Sequence, residues 1–128
     1  MPNVTTITEN EFYAAFEQER AAFPAIAQGI VDFVTNGINI TVRLNTGEVG
    51  RVNFVVSNNE GIVTIQISSI TTLNGGTASQ NYVNVINRDL PALLTATLDK
   101  LQIARFGAVM NMQSIVIDSS SMTMYRAP

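Results

Sequence analysis

The chain contains no cysteine and no histidine in 128 residues. Without cysteine there are no disulfides and no thiolate chemistry, while the compartment stays open, because a chain without Cys suits either side of a membrane. Without histidine the usual zinc, copper and haem ligands are gone. So are the Ser-His-Asp and Cys-His nucleophile systems and the side chain best suited to proton transfer near neutral pH. Charge is also scarce, at 13% of residues against about 25% in an average soluble domain. Seven basic residues against ten acidic ones give a net charge of -3, which provides no footprint for nucleic acid and little attraction to anionic membranes. No apolar run reaches the ~18 residues of a membrane span, and Met1-Pro2-Asn3 does not open like a signal peptide. The chain as given reads as soluble, and an exported protein whose leader had been removed would look the same.

What remains is a hydrophobic content of 46%, in a length that fits one domain, residues 1–128, with a core of ordinary size. So apolar a chain with so few charges has surface to hide, and the cover must be a partner, a second copy or a ligand.

Apolar residues alternate at Ile38, Ile40, Val42 and Leu44, at Val52, Phe54 and Val56, and at Val63, Ile65 and Ile67. That is the period of strands with one buried face. Asn45-Thr46-Gly47 and Ser57-Asn58-Asn59-Glu60-Gly61 separate them with turn residues, predicting an antiparallel meander. Asn39, Thr41, Arg43, Arg51, Asn53, Thr64, Gln66 and Ser68 occupy the other face, which is made for water.

Before the meander, Thr8-Glu9-Asn10-Glu11 has the form of a capping box. A helical stripe follows at Phe12, Phe16, Phe23, Ile26, Ala27, Ile30, Phe33 and Val34, predicting a long helix kinked by Pro24 and ended by Asn36-Gly37. After it, a second stripe at Val83, Ile86, Leu90, Leu93, Leu94, Leu98, Leu101 and Ala104 predicts another long helix, bent by Pro91, with Arg88, Thr95 and Asp99 outward. Met112 to Ile117, a turn at Asp118–Ser121, and Met122 with Met124 complete the chain as strands joined through a hairpin or bulge. The expected class is α+β: helix, three-strand antiparallel meander, helix, one or two further strands. Helices of about 35–40 Å overhang strands of about 25 Å, which predicts a homodimer covering their apolar ends.

This order, with Thr8-Glu9-Asn10-Glu11-Phe12 opening the first helix and the strand-turn-strand phrases Val56–Val63 and Ile115–Met122, resembles the small bacterial relatives of the tubular lipid-binding (TULIP-like) proteins. Ser119 departs from the pattern, where glycine is common. The resemblance spans about Thr8 to Tyr125. It implies a coiled sheet wrapping a long helix, an apolar groove for lipid tails, and an exported or membrane-facing setting with peripheral membrane contact.

The expected groove lies between Phe16, Phe23, Ile26 and Ile30 on the first helix and Leu90, Leu94 and Leu98 on the second. Each of these is equally a core residue by its pattern. Glu19 falls in the first stripe, where a buried unpaired carboxylate is costly. It would orient a polar head group, pair with Arg43 or Arg51, or point to water if Pro24 resets the helix phase. Glu9/Glu11 and Glu17/Glu19 diverge on a helix, and Asp89 and Asp99 lie on different sides, so no metal site is expected. Asn45-Thr46-Gly47 and Asn74-Gly75-Gly76 have neither the lysine nor the glycine spacing of a phosphate or dinucleotide loop, and no cofactor is expected. Two functions follow: non-enzymatic binding of lipid or another apolar molecule, or a homo-oligomeric interaction module with no ligand. An enzyme using a carboxylate such as Asp99 in an apolar pocket is a third reading, and the chain is taken as non-enzymatic.

Overall fold

The computed structural model describes residues 3–126, so the opening Met1-Pro2 of the signal-peptide argument lies outside the described residues. The elements are β1 Val4–Thr8, α1 Glu9–Arg20, β2 Ile26–Val34, β3 Gly37–Leu44, β4 Val49–Asn59, β5 Ile62–Thr71, α2 Gln80–Phe106, β6 Met112–Ile117 and β7 Ser121–Arg126. They build an α+β fold with two antiparallel sheets, one ordered β2-β3-β4-β5 and the other β1-β7-β6.

The meander stands as β3, β4 and β5. Ile38 pairs with Phe54 and Phe54 with Ile67, while Ile40 pairs with Val52 and Val52 with Ile70, so the apolar rows line up across the sheet. Glu60 and Gly61, both at positive φ (52° and 77°), make the tight turn between β4 and β5. The polar alternates form the outer face.

The first helix is a correction. Its capping box is present, with the Thr8 hydroxyl accepting from the Glu11 amide and the Glu11 carboxylate accepting from the Thr8 amide. It nevertheless ends at Arg20, and residues 26–34 are strand β2. Pro24 stops the helix instead of kinking it. Asn36, at φ 59°, serves the β2–β3 turn, because an Asn-Gly pair suits a hairpin as well as a helix end. Periodicity misleads here because a bulge between Ile26 and Gln28 shifts parity, so that Ile26 and the odd residues Val31 and Phe33 all face inward. At 12 residues α1 is about 18 Å long and does not overhang. Only α2, with 27 residues continuing through Pro91, has the expected length of about 40 Å.

The cover is likewise two sheets where one was expected. β1 pairs along β7, and β7 along β6. In the β6–β7 hairpin Asp118 Oδ1 accepts from the Ser120 and Ser121 amides at 2.8 and 2.9 Å, so an aspartate turn does the work of the missing glycine. The sheets are stitched by asparagines. Asn58 Nδ2 donates to the Ile115 carbonyl while Asn58 Oδ1 accepts from the Ile115 amide, both at 2.9 Å. The Asn36 amide donates to the Ile117 carbonyl at 3.0 Å. Helix α1 closes the free edge of β2: Glu9 Oε2 accepts from the Phe33 amide at 2.7 Å, and Arg20 Nη1 donates to the Ala27 carbonyl at 2.9 Å.

One continuous core joins both sheets and both helices. Its centre is the row Gly29, Val42, Gly50 across β2, β3 and β4. A Cβ on Gly29 would lie 2.5 Å from the Phe16 ring, and one on Gly50 would lie 2.7 Å from both the Tyr82 ring and the Thr71 carbonyl oxygen. Glycine is required there for close approach. Tyr82 is 1% exposed, and its hydroxyl donates to the Val42 carbonyl at 2.7 Å. The start of α2 is fixed by Glu48, which accepts from the Ser79 hydroxyl and from Asn81 Nδ2.

Gly50→Ala is expected to lower the unfolding free energy by about 1–3 kcal/mol in urea titration, since the backbone oxygen of Thr71 cannot move aside as a side chain would. Tyr82→Phe should cost about 1 kcal/mol, for the lost buried hydrogen bond. Burial pushes the Tyr82 phenol up to about 12, with the Glu48 charge adding to it and the Gly50 amide opposing it. The folded state therefore favours the neutral phenol. Its contribution is complete below pH ~10, the tyrosine value in an unfolded chain, and is lost as pH rises towards about 12. Denaturation curves between those pH values should show the fall in wild type and a smaller one in Tyr82→Phe.

Candidate ligand-binding cleft

Burial fades across the large sheet. Ile38, Ile40, Val42, Val52 and Phe54 are buried, but Val63, Ile65, Ile67 and Ile70 on β5 are only partly so. The helical cover runs short over this outer strand. The result is an open cleft of about 580 Å³ between the start of β5, the second half of α2, the segment 109–111 and β6.

Thr95, Leu98, Asp99 and Gln102 line its helical wall. Their spacing of three and four residues makes a stripe beside the core stripe of Leu90, Leu94 and Leu101. Ile62, Val63 and Ile65 form the strand wall, and Met112 and Ile115 of β6 form the floor. The end wall is tied down. Gly107, at φ 84°, ends α2 and turns the chain back. Buried Gln102 then accepts from the Met110 amide at 2.9 Å. Arg126, stacked over Phe106 at 4.6 Å, donates to the Met110 sulfur at 2.8 Å. At the rim, Ile62, Val109 and Met110 are 65%, 50% and 46% exposed.

Among the described residues, Asp99 is the one charged residue lining this cleft. Its carboxylate is partly buried and has no ion-pair or hydrogen-bond partner among the described residues. On its other side it borders a second, shallower concavity of about 510 Å³ shared with Glu19, Ala96, Lys100, Ile103 and Ala104. The helices lie antiparallel there, with Glu11 paired to Arg105 at the other end of α1. The Thr8 amide, followed by Arg105, holds the Glu11 carboxyl below its usual range.

Of the residues the sequence nominates, Leu98 lines the cleft. Phe16, Ile26, Leu90 and Leu94 are buried core. Phe23, just beyond α1, is partly buried against that core. Ile30 is 53% exposed, on the outer face of the large sheet beside Asp32 and Arg51. These positions do not converge on one groove, because Ile26 and Ile30 belong to a strand. Glu19 is partly exposed and meets neither Arg43 nor Arg51, which lie on that outer face. The residues overlooked are Ile62, Gln102, Val109 and Met110. The available signal was an apolar Val109-Met110 pair following directly on the Gly107 helix stop.

No group of three or more Asp and Glu side chains close enough to hold a metal ion occurs among the described residues. No helix there is long and apolar enough to cross a membrane. Compared with known proteins, the chain matches no family model, no curated protein and no solved structure.

If Gln102 pins the end wall, Gln102→Leu should release the 109–111 segment without melting α2. Hydrogen exchange at the Met110 amide is expected to speed up roughly fivefold, the equivalent of ~1 kcal/mol for one hydrogen bond. Exchange at core amides such as Ile40 should be unchanged.

Proposed function

We propose that the protein is a non-enzymatic binder of a lipid or another apolar small molecule, held in the cleft between β5, α2 and β6. The observation that carries this reading is the incomplete cover of β5, which leaves a concavity of about 580 Å³ walled by Ile62, Val63, Ile65, Leu98 and Met112. That volume lies in the range of small-molecule sites, and the mostly apolar wall with a few polar groups fits their usual make-up. A ten-carbon chain buried there would gain about 8 kcal/mol gross, enough to exceed the several kcal/mol of association and ordering. The TULIP-like resemblance supports the same reading, as does a long helix packed against an antiparallel sheet. An exported or membrane-facing setting belongs to it. The site is not the one expected from the two helical stripes, and of those residues it keeps Leu98.

The exposure of Ile62, Val109 and Met110 also favours a second reading, a homodimer in which a second copy covers the rim and no ligand is needed. The test extracts the purified protein with organic solvent for mass spectrometry and titrates it with the neutral dye Nile red, with light scattering alongside. Binding predicts co-purified apolar molecules, saturable dye fluorescence and about tenfold weaker dye binding in Leu98→Asn, measured below the melting temperature of that variant. No extract, no dye binding and a dimer mass at micromolar concentration would favour the interaction module.

A further inference from the structure

Building on that reading, we propose that the ligand of the cleft ends in a primary amine, and that Asp99 receives it. Asp99 stands out against the rest of the lining. It is the single charged side chain there, it is partly buried, and no protein group neutralises it among the described residues. Thr95 and Gln102 lie one turn before and one turn after it on the same stripe of α2; the Thr95 hydroxyl can accept a hydrogen bond, and the Gln102 amide oxygen, which already accepts from the Met110 amide, has a second lone pair. Across from them, Ile62, Val63 and Ile65 offer only hydrocarbon side chains. The cleft is thus apolar along one wall and anionic along the other, which fits a hydrocarbon tail joined to a cationic head.

A carboxylate head meets the opposite situation. Among the described residues no lysine or arginine lines the cleft to receive it, and a second negative charge beside Asp99 is repelled. The charged groups nearby do not alter this. Lys100 and Glu19 line the shallower concavity that Asp99 also borders, and neither lines the cleft itself or is ion-paired with Asp99 among the described residues. Buried Arg126 is engaged by the Phe106 ring and the Met110 sulfur behind the end wall. An ammonium gains a charge-assisted hydrogen bond to Asp99, stronger than a neutral hydroxyl could make.

The experiment displaces Nile red from the wild type with decylamine, decanol and decanoate at pH 7, each below its micellar concentration. It is repeated with Asp99→Asn and Thr95→Lys, with melting temperatures recorded for each variant. Decylamine is expected to displace the dye at a concentration about tenfold lower than decanol, and decanoate to be the weakest. Asp99→Asn should remove the advantage of the amine over the alcohol. Thr95→Lys should move the preference towards decanoate. Decanol and decanoate matching decylamine on the wild type, or an amine preference surviving in Asp99→Asn, would overturn the head-group assignment while leaving apolar binding in place. If neither the dye nor any of the three amphiphiles binds, the binding reading falls and the assignment with it.

Discussion

Both helices are held to the large sheet at one row of backbone, Gly29–Val42–Gly50. The absence of side chains on its two outer members lets aromatic rings sit directly on the strands, Phe16 from α1 at Gly29 and Tyr82 from α2 at Gly50. The Tyr82 hydroxyl adds a hydrogen bond to Val42, in a place where an unpaired polar group would be costly. This contact sets the helical layer. It fixes α2 near its N-terminus, and Glu48 holds the same end from the β3–β4 turn. The remaining turns of α2 lead away from that anchor towards β6 and the C-terminal strand pair.

A second constraint is the backbone of the strand edges, which must be satisfied or shielded in a two-sheet fold. Polar side chains do this. Asn58 offers β6 a donor and an acceptor at one residue, as a neighbouring strand would. Glu9 and Arg20, at opposite ends of α1, take an amide and a carbonyl of β2. Many of the few charges in the chain are thus committed to structure: Glu9, Glu11, Arg20, Arg105 and Asp118 hold backbone or one another, and Glu48 holds the side chains of Ser79 and Asn81. Asp99 has no such task, which is why its place in the cleft wall is informative.

The parts of the fold that could be read from sequence are those whose signal is local. β3 and β4 alternate without interruption, the capping box at Thr8 involves four consecutive residues, and the α2 stripe from Val83 to Ala104 repeats for about six turns. β2 was hidden because its bulge mixes parities, and because Ile26, Ile30, Phe33 and Val34 also satisfy a helical spacing. β1 has only Ile7 buried among three threonines and a valine, so it is a strand because β7 pairs with it. The cleft was harder still. Its walls come from segments up to about fifty residues apart, and what creates it is the shortfall of cover over β5, a property of where α2 is anchored. Leu98 was found because it lies on the border of the core stripe. Ile62 and Met110 were not, because a turn and a loop have no period to break.

The apolar surplus in the composition and the exposed rim of the cleft have one geometric origin. A single helix anchored over β3 and β4 at Tyr82 cannot also cover β5, so Val63, Ile65, Ile67 and Ile70 keep the hydrophobic character of core residues without a full complement of neighbours. At about 25 cal/mol per Å², apolar area left open on four such side chains is a standing cost to the folded state. A longer loop before β6 would remove that cost by filling the space. Instead Gly107 turns the chain back, and Gln102 and Arg126 hold the 109–111 segment as a wall through hydrogen bonds with the Met110 amide and sulfur that would be lost if it collapsed inward. The cleft is therefore kept open by specific contacts at its end.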